Sequence, residues 1–552
     1  MLTEESPTVP DYPPGDEPRR RWPKRLLVGG ALLIPVLLIG GFLAAAFGLS
    51  GARLGRDRSA LAGVETEAFG GEVDSVKATD PNGREIPIAI HGGKLVPEGK
   101  LHPGEQVHLE VTVKRPSVVA WITGDTNTLE ITMRTPKAKP VARWISVPKK
   151  SGKPHVHFSQ PVMQFAYGQP GELVHRRFGH PQRSVSLGEQ AAAGSVVVAA
   201  APRAWEQLGK FRRVTWFPAS GSAAVAASPA AGAEISPSTP VELTFSKSVQ
   251  KVLGGKNPTL EPEVPGKWTT VDRHTIRFTP SGFGAPMATE LEAKLPEKVE
   301  VVQSDGTTKN ADAVVWHVPG GSPLRLQQML AQLGYMPKSW KAEKGEEVAL
   351  TPEAEVRAAT EPPKGQFEWR YKTPPSLREL WSPGEEEVIT QGALMTFQDE
   401  QGIETDGVAG PEVWEKLMEA TIAGERKAEP GFNYVFVSET IPETVQVWHN
   451  GKIEVEGPGN TGIPGAETEL GTFPVFEHLE ETTMSGENPD GSHYSDPGIM
   501  WVSYFNGGDA LHAFDRASFG TPQSLGCVEM PLEQAAAVWP YTPIGTLVTV
   551  AG

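Results

Sequence analysis

The sequence predicts a multidomain, mainly β protein, and its length, composition and apolar pattern each support that class. The chain has 552 residues, well beyond the size at which a single core keeps growing, so several domains of roughly 100 to 150 residues are expected. Its 51 prolines and 59 glycines favour short strands and many turns over long helices. Apolar residues mostly alternate over strand lengths, and helical periodicity is confined to one later region.

The charge of the chain excludes one large class of function. The formal net charge is -16, and no basic stripe follows the N-terminus. A sequence-independent hold on nucleic acid needs clustered Lys and Arg, so no nucleic-acid partner is expected. The spacing of His, Cys, Asp and Glu gives no zinc pattern, and we expect neither a metal nor an organic cofactor.

The N-terminus predicts a membrane anchor. Leu26 to Leu49 form 24 consecutive uncharged, mostly apolar residues, enough to cross a hydrocarbon core of about 30 Å as a helix. The Pro- and Arg-rich tail at 1–25 is more basic than the linker expected at 50–68, which puts the tail in the cytoplasm and the other domains outside. A cleaved signal peptide is the alternative, but its apolar stretch is usually about 7 to 15 residues. No Cys lies near enough for a lipoprotein.

Two β-sandwich regions follow the linker. Segments such as QVHLEVTV and NTLEITMR alternate between apolar and polar residues and are separated by turns, which predicts an Ig-like sandwich region at 69–218. A Ser/Ala/Gly stretch predicts a hinge, and PVELTFSK and HTIRFTP begin a second such domain at 225–320. Neither region contains visible chemistry, so we interpret both as spacers.

The pattern becomes helical at 322–425. Ser322 and Pro323 suit the start of a helix and Gly334 its end. Two more helices are predicted, over GALMTFQDEQ (392–401) and after Gly410-Pro411. LQQMLAQLGYMP and ALMTFQDEQGIETDGVAGPEVWEKL together resemble the peptidoglycan-binding domain of cell-wall enzymes, with an insertion at 340–388. A helical spacer with an ordinary core is the alternative.

Strands return at 431–552 and predict a compact, mostly β domain. This domain contains Cys527, the single cysteine of the chain. Outside the cell a thiol usually forms a disulfide, and this one has no partner in the chain. It is therefore either a small buried apolar group or a reactive nucleophile.

A histidine and a glycine favour the nucleophile. His512 lies in the apolar segment DALHAF, so a strand, a loop and a return would bring it beside Cys527 as a general base. Gly526 allows a tight turn that points successive backbone amides into one space, where they would stabilise an oxyanion. A structural cysteine needs neither feature. His493 is the second candidate base.

These residues carry a family resemblance. His512 and SLGCVEMP, whose Cys527 follows His512 after 14 intervening residues, resemble the catalytic signature of L,D-transpeptidases of the YkuD type. TELGTFPVFE (468–477) resembles the family's TPxGxF strand, and VWHNGKIEVEG resembles its opening hairpin. The resemblance covers roughly 431–552.

The resemblance implies a role for each matching residue. Cys527 would form a thioester with a peptidoglycan stem peptide, and His512 would deprotonate it, oriented by the carbonyl of Ala513. The amides of Leu525, Gly526 and Cys527 would form the oxyanion hole. The resemblance also implies a substrate-covering flap at 492–505, and the predicted substrate-binding residues are Ser524, Tyr494, Trp501, His493 and Glu529.

This chain departs from the family at two positions. Leu525 replaces a His before Gly-Cys, and Glu529 replaces an Arg or Asn two places after the Cys. Because His512 can serve as base and the oxyanion donors are backbone groups, we expect activity. Glu529 would change how a substrate is oriented, or pair with Arg516.

The sequence therefore predicts a single-pass, outward-facing L,D-transpeptidase that cross-links stem peptides and releases D-Ala. Its partners would be stem peptides, glycan strands and the lipid membrane through 26–49, and the resemblance implies that carbapenems acylate Cys527. An L,D-carboxypeptidase that uses water is one alternative. A wall-binding protein with a degenerate active site is the other, although such a site has no reason to retain a free thiol.

Overall fold

The computed structural model of the chain describes residues 40–148, 152–219, 221–428 and 431–552. Two compact units are present. One contains the chain up to Val141, together with His157–Val185 and Val197–Arg212; the other contains Ala142–Val156, Ser186–Val196 and Arg213–Gly552.

The predicted membrane anchor falls mostly beyond this description. The tail at 1–25 and the first part of the segment at 26–49 lie outside the described residues, while residues 40–48 are helical. Among the helices in the described ranges, none has both the length and the apolar character that a membrane crossing requires. The anchor therefore stays a prediction from the sequence.

The strands of the first half are β1 Ala52–Arg56, β2 Ala62–Thr66, β3 Glu72–Thr79, β4 Ile88–His91, β5 Lys94–Pro97, β6 Gln106–Lys114, β7 Thr126–Arg134, β8 Trp144–Val147, β9 His155–Gln169, β10 Glu172–Ser186, β11 Gly194–Ala201, β12 Arg212–Pro218, β13 Ala223–Ser228, β14 Val241–Phe245, β15 Leu260–Glu261 and β16 Gly266–Thr270. Those of the second half are β17 Thr275–Pro280, β18 Thr289–Lys294, β19 Val299–Val302, β20 Thr308–Asn310, β21 Ala313–Val318, β22 Lys338–Ala342, β23 Gly365–Trp369, β24 Asn433–Ser438, β25 Thr444–His449, β26 Lys452–Pro458, β27 Gly471–Pro474, β28 Glu477–Glu487, β29 His493–Asn506, β30 Asp509–Ala513, β31 Val528–Met530 and β32 Leu547–Ala551. After the helical residues 40–48, the helices are α1 Ser117–Thr123, α2 Val249–Leu253, α3 Pro323–Leu333, α4 Pro352–Thr360, α5 Pro375–Arg378, α6 Val388–Gln401, α7 Pro411–Ala423 and α8 Leu532–Val538, and a 3-10 turn spans Trp539–Tyr541.

The first unit contains two sheets around one core. Strands β1, β2, β5 and β4 form one sheet in that order, and β3, β6 and β7 form the other. In β6 every second residue, Val107, Leu109, Val111 and Val113, is fully buried, as the alternation of the sequence predicts. Strand β9 pairs antiparallel with β11 in the same unit.

The boundaries in this region differ from those predicted. The segment at 50–68, expected to be a linker, forms β1 and β2, and Leu61 is fully buried. Small and charged residues concealed the strand pattern there. The sandwich predicted at 69–218 is divided, because parts of it such as Ser186–Val196 belong to the second unit.

Strands β13 to β21 occupy the region predicted as a second sandwich. Six of them form the sheet β16-β17-β14-β13-β19-β20, and three form β15-β18-β21. Leu243, Phe245, Val314 and Trp316 are fully buried between the sheets.

Helix α3 begins and ends where its sequence indicates. The Ser322 hydroxyl accepts a hydrogen bond from the Leu324 amide, and Gly334 ends the helix with φ +95°. Helix α6 begins four residues before the predicted 392, because the Glu387 carboxylate caps it at the Ile389 and Thr390 amides. The insertion at 340–388 contains α4, β23, α5 and most of β22.

The C-terminal region has two sheets. One has the order β26-β25-β24-β32-β27, and the other β28-β29-β30-β31. The core of the helical region extends onto the first sheet, since Tyr434, Trp448 and Leu547 pack in the same cluster as Leu330 and Phe397. The regions predicted as separate at 322–425 and 431–552 therefore share one core, and the second sheet holds the candidate site.

Candidate active site

The sulfur of Cys527 lies beside the first residues of β30. Cys527 stands one residue before β31, which pairs in parallel with β30. The half-buried side chain donates a hydrogen bond to the Gly508 carbonyl oxygen at 3.5 Å, and the Ala510 amide hydrogen-bonds the sulfur. The sulfur is therefore fixed against a strand end and is not sealed in the apolar core.

This environment keeps the thiol protonated. Burial raises the pKa of the Cys527 thiol to about 12, and the Ala510 hydrogen bond opposes the shift only in part. The carboxylates of Asp509 and Glu529 raise it further. Because the thiolate is the nucleophile, this cysteine needs a base when it attacks.

His512 has the properties of that base. Its buried ring places Nδ1 2.9 Å from the Ala513 carbonyl oxygen. A carbonyl only accepts, so Nδ1 carries the hydrogen and Nε2 of the neutral ring is left as an acceptor. Burial lowers the pKa of His512, which keeps the ring neutral. The contact with Ala513 is the one that the family resemblance implies.

Strand register puts the two residues on one surface. Leu511 pairs with Val528 and His512 with Glu529 in the parallel ladder between β30 and β31. Side chains alternate across a sheet, so Ala510 shares the His512 face, and Cys527 packs in the same cluster as Ala510. The opposite face, with Leu511 and Val528, packs into the core. Nucleophile and base thus project from neighbouring strands to the same side.

The turn before the thiol requires glycine. Gly526 has φ +109°, and a Cβ there would lie 2.5 Å from Oδ1 of Asp509. Within the described chain, the amides of Leu525, Gly526 and Cys527 donate no hydrogen bond to another residue. They are therefore available to an anion formed at the thiol.

Ser524 stabilises this turn. Its buried hydroxyl donates a hydrogen bond to the Cys527 carbonyl. Its amide donates to the Thr461 carbonyl at 3.0 Å, and its own carbonyl accepts from Ile463 at 3.0 Å. The side chain, predicted to bind substrate, is thus engaged within the protein.

Glu529 pairs with Arg516, one of the two roles considered for it. Arg516 donates from Nε to Oε2 and from Nη2 to Oε1, each at 2.7 Å, and also from Nη2 to the Gln523 carbonyl at 3.1 Å. The carboxylate is buried and lies in the row of His512. The pair therefore fixes the segment that leads into the nucleophile.

The hairpin of β28 and β29 brings two tyrosines near the thiol. Tyr494 packs over Gly486, its partner on β28, and Tyr504 pairs with Ala510. Burial raises the pKa of both phenols, and the proximity of Cys527 adds to each shift. Tyr494 was predicted to contact the substrate, whereas Tyr504 was not predicted. Tyr504 pairs with Ala510, two residues before His512, so the alternation of side chains along the strands could have placed it on the His512 face.

Two other predicted contacts lie elsewhere. Trp501 has φ +59° and its ring centroid is 5.2 Å from that of Trp539, on the core side of the sheet. Residues 501, 503 and 505 share that side because side chains alternate, so the structure does not bring Trp501 to the thiol. His493 is exposed at the first residue of β29, near the hairpin tip.

Sequence reasoning also missed Asp509. This half-buried residue begins β30, and its carboxylate lies against Gly526.

In the described ranges, no three His, Cys, Asp or Glu side chains are placed to hold a metal ion.

Comparison with known protein families gives a match in this region. Residues 433–550 match YkuD, the L,D-transpeptidase catalytic domain. No curated protein matches the chain.

Among solved structures, the chain is similar to an L,D-transpeptidase from Mycobacterium smegmatis, at 12% identity over 60% of this chain and 100% of that one, with a TM-score of 0.20. It is also similar to the catalytic domain of an E. faecium L,D-transpeptidase, at 25% identity over 21% of this chain and 95% of that one, with a TM-score of 0.20. A third is L,D-transpeptidase 3 from Mycobacterium tuberculosis with a faropenem-derived adduct, at 12% identity, covering 60% and 98%, with a TM-score of 0.20.

The match in the C-terminal region is thus to an L,D-transpeptidase catalytic domain. The family match does not extend to the Ig-like and peptidoglycan-binding-like regions, which stay predictions.

Proposed function

We propose that the chain is a membrane-anchored L,D-transpeptidase whose domains face the cell wall. The single observation that carries the proposal is the common face of His512 and Cys527, within a region that matches the L,D-transpeptidase family. Residues 26–49 would anchor the chain, and the β regions would hold the catalytic domain away from the membrane.

The first half-reaction forms a thioester. The Cys527 proton passes to Nε2 of His512 as the sulfur attacks the carbonyl between the third stem residue and its terminal D-Ala. Since the thiol is neutral at rest, deprotonation accompanies the attack. The carbon–sulfur bond forms, and the oxyanion is stabilised by the amides of Leu525, Gly526 and Cys527. The carbon–nitrogen bond then breaks, and D-Ala leaves with the proton from His512.

The second half-reaction transfers the acyl group. A side-chain amine of a neighbouring stem attacks the thioester carbon, a carbon–nitrogen bond forms, and the sulfur leaves and is reprotonated. The product is a cross-link between the third residues of two stems. No step needs a metal or an organic cofactor.

A muropeptide assay with the purified full chain tests the proposal. Incubated with tetrapeptide stems, the protein is expected to release D-Ala and to produce cross-linked dimers, and Cys527→Ala is expected to do neither. Tripeptides without dimers would identify an L,D-carboxypeptidase. Unchanged stems with a folded protein would identify a non-catalytic wall-binding protein. Glycan binding by the helical region is tested separately, by sedimentation with purified glycan strands.

A further inference from the structure

A carboxylate with an open hydrogen-bonding position lies against the turn that precedes Cys527. Oδ2 of Asp509 accepts from the Glu469 amide and from the Asn506 side chain, each at a long 3.3 Å. Within the described chain, Oδ1 receives no hydrogen bond and the residue forms no ion pair. Asp509 is only half-buried and this oxygen is not enclosed, so an incoming cation can reach it.

Its position links this carboxylate to the nucleophile. The thiol donates to the carbonyl of Gly508 and receives a hydrogen bond from the amide of Ala510, the two neighbours of Asp509 in the chain. Oδ1 lies where a side chain of Gly526 would be. The open oxygen is thus at the turn that would form the oxyanion hole.

Two other carboxylates of this region have both oxygens engaged within the protein. Glu529 is paired with Arg516, and Glu443 accepts from the amide and hydroxyl of Thr461 at 2.7 and 2.9 Å. Glu467 accepts from the Gly465 amide. Both oxygens of Glu529 and both of Glu443 are thus engaged, whereas Oδ1 of Asp509 is open.

We propose that Asp509 binds the acceptor: it receives the primary ammonium of the stem peptide and takes one of its protons before the amine attacks the thioester. This inference rests on the acyl transfer proposed above and names the group that favours an amine over water. Ammonium–carboxylate hydrogen bonds are among the strong ones in proteins.

The proposed transfer moves two protons from the acceptor nitrogen and exchanges a carbon–sulfur bond for a carbon–nitrogen bond. The ammonium loses one proton to the Asp509 carboxylate, and the neutral nitrogen attacks the thioester carbon. The carbon–nitrogen bond forms and the carbon–sulfur bond breaks; the second proton passes through His512 to the departing sulfur, and Asp509 returns its proton to water. Burial raises the pKa of the Asp509 carboxyl, which makes it a better proton acceptor.

Two acceptors separate this role from a structural one. The acyl-enzyme formed with a tetrapeptide stem is offered Nα-acetyl-lysine amide, which arrives as an ammonium, or hydroxylamine, which arrives neutral. In Asp509→Asn, transfer to the lysine derivative is expected to fall about tenfold or more relative to hydrolysis, while transfer to hydroxylamine is retained. Asp509→Glu, which keeps the charge, is expected to regain part of the loss. Glu454→Gln, an exposed carboxylate on β26, is the charge-matched control.

The outcomes are distinct. Equal transfer to the lysine derivative by Asp509→Asn and wild type would overturn the proposal, and so would a loss with both acceptors in a folded variant. If Asp509→Asn does not fold, Asp509→Ser gives the same comparison. Failure of the wild type to form any acyl-enzyme would instead remove the proposed function, and this inference with it.

Discussion

Arg516 binds the Glu529 carboxylate through two parallel hydrogen bonds of 2.7 Å each, and the same guanidinium holds the carbonyl of Gln523. Arg516 follows the strand of His512, and Glu529 follows Cys527. The pair therefore joins the segment of His512 to that of Cys527, at a position where this chain departs from the L,D-transpeptidase pattern that it resembles.

Arg516→Met should destabilise the fold. It leaves the buried Glu529 carboxylate without its partner, a change that costs about 2 kcal/mol here because Arg516 is itself about a third exposed. Thermal unfolding of the full chain measures the loss. Arg426→Met, on an exposed residue, is the control, and equal melting temperatures of the two variants would contradict the role of the pair.

Alkylation of Cys527 should rise steadily with pH. Since the thiol has a raised pKa of about 12, its thiolate fraction increases about tenfold per pH unit between about pH 7 and pH 10. Iodoacetamide labelling followed by intact mass measures the rate, and the chain has no other cysteine to interfere. A rate that levels off near neutral pH would mean a thiolate at rest.

Acylation should persist below the ordinary pKa of histidine. Burial lowers the pKa of His512, so its neutral, proton-accepting form remains as the pH falls through about 6.5 and is lost only below that value. Rates of carbapenem acylation across acidic pH locate the decline. A decline centred above pH 6.5 would assign it to a different group or to a charged resting imidazole.

Gly526→Ala should inactivate the site without unfolding the protein. The residue has φ +109°, and a methyl group would lie 2.5 Å from the Asp509 carboxylate, so the turn must shift and move the three amides. Acylation is expected to fall by about 100-fold, as when an oxyanion donor is lost. Gly179→Ala is the control, since a Cβ there meets nothing within 4 Å. Full acylation by Gly526→Ala would exclude the turn as an oxyanion hole.

The helical region and the C-terminal region share one core, so a large-to-small substitution at the centre of that core should strongly destabilise the fold. Leu547 is fully buried against helix α6, where Gly392 leaves room for it. Leu547→Ala is expected to cost about 3 kcal/mol and to lower the unfolding midpoint in denaturant. Leu350→Ala is the matched change at an exposed leucine. Similar midpoints for the two would contradict a shared core.

Local signals in the sequence predicted much of this molecule. The Ser322-Pro323 start and the Gly334 end define α3, and the alternation in β6 defines its buried face, because capping and pleating depend on neighbouring residues alone. Cys527 and His512 could be paired because a single loop, between β30 and β31, separates them.

Features that depend on contacts between residues far apart in the sequence could not be predicted. Nothing near Leu547 in sequence indicates that it packs against α6, and Asp509 becomes significant only once Gly526 lies beside it. Trp501 packs against Trp539 on the core side of β29, a long-range contact that the residues near it in sequence do not reveal.

Intact mass after incubation of the wild type, Cys527→Ala and His512→Gln with a carbapenem shows whether Cys527 is the nucleophile and His512 its base. We expect a one-to-one adduct on the wild type, none on Cys527→Ala, and acylation slowed by at least about 100-fold in a folded His512→Gln. An adduct that survives Cys527→Ala, or one that forms as quickly without His512, would contradict these roles.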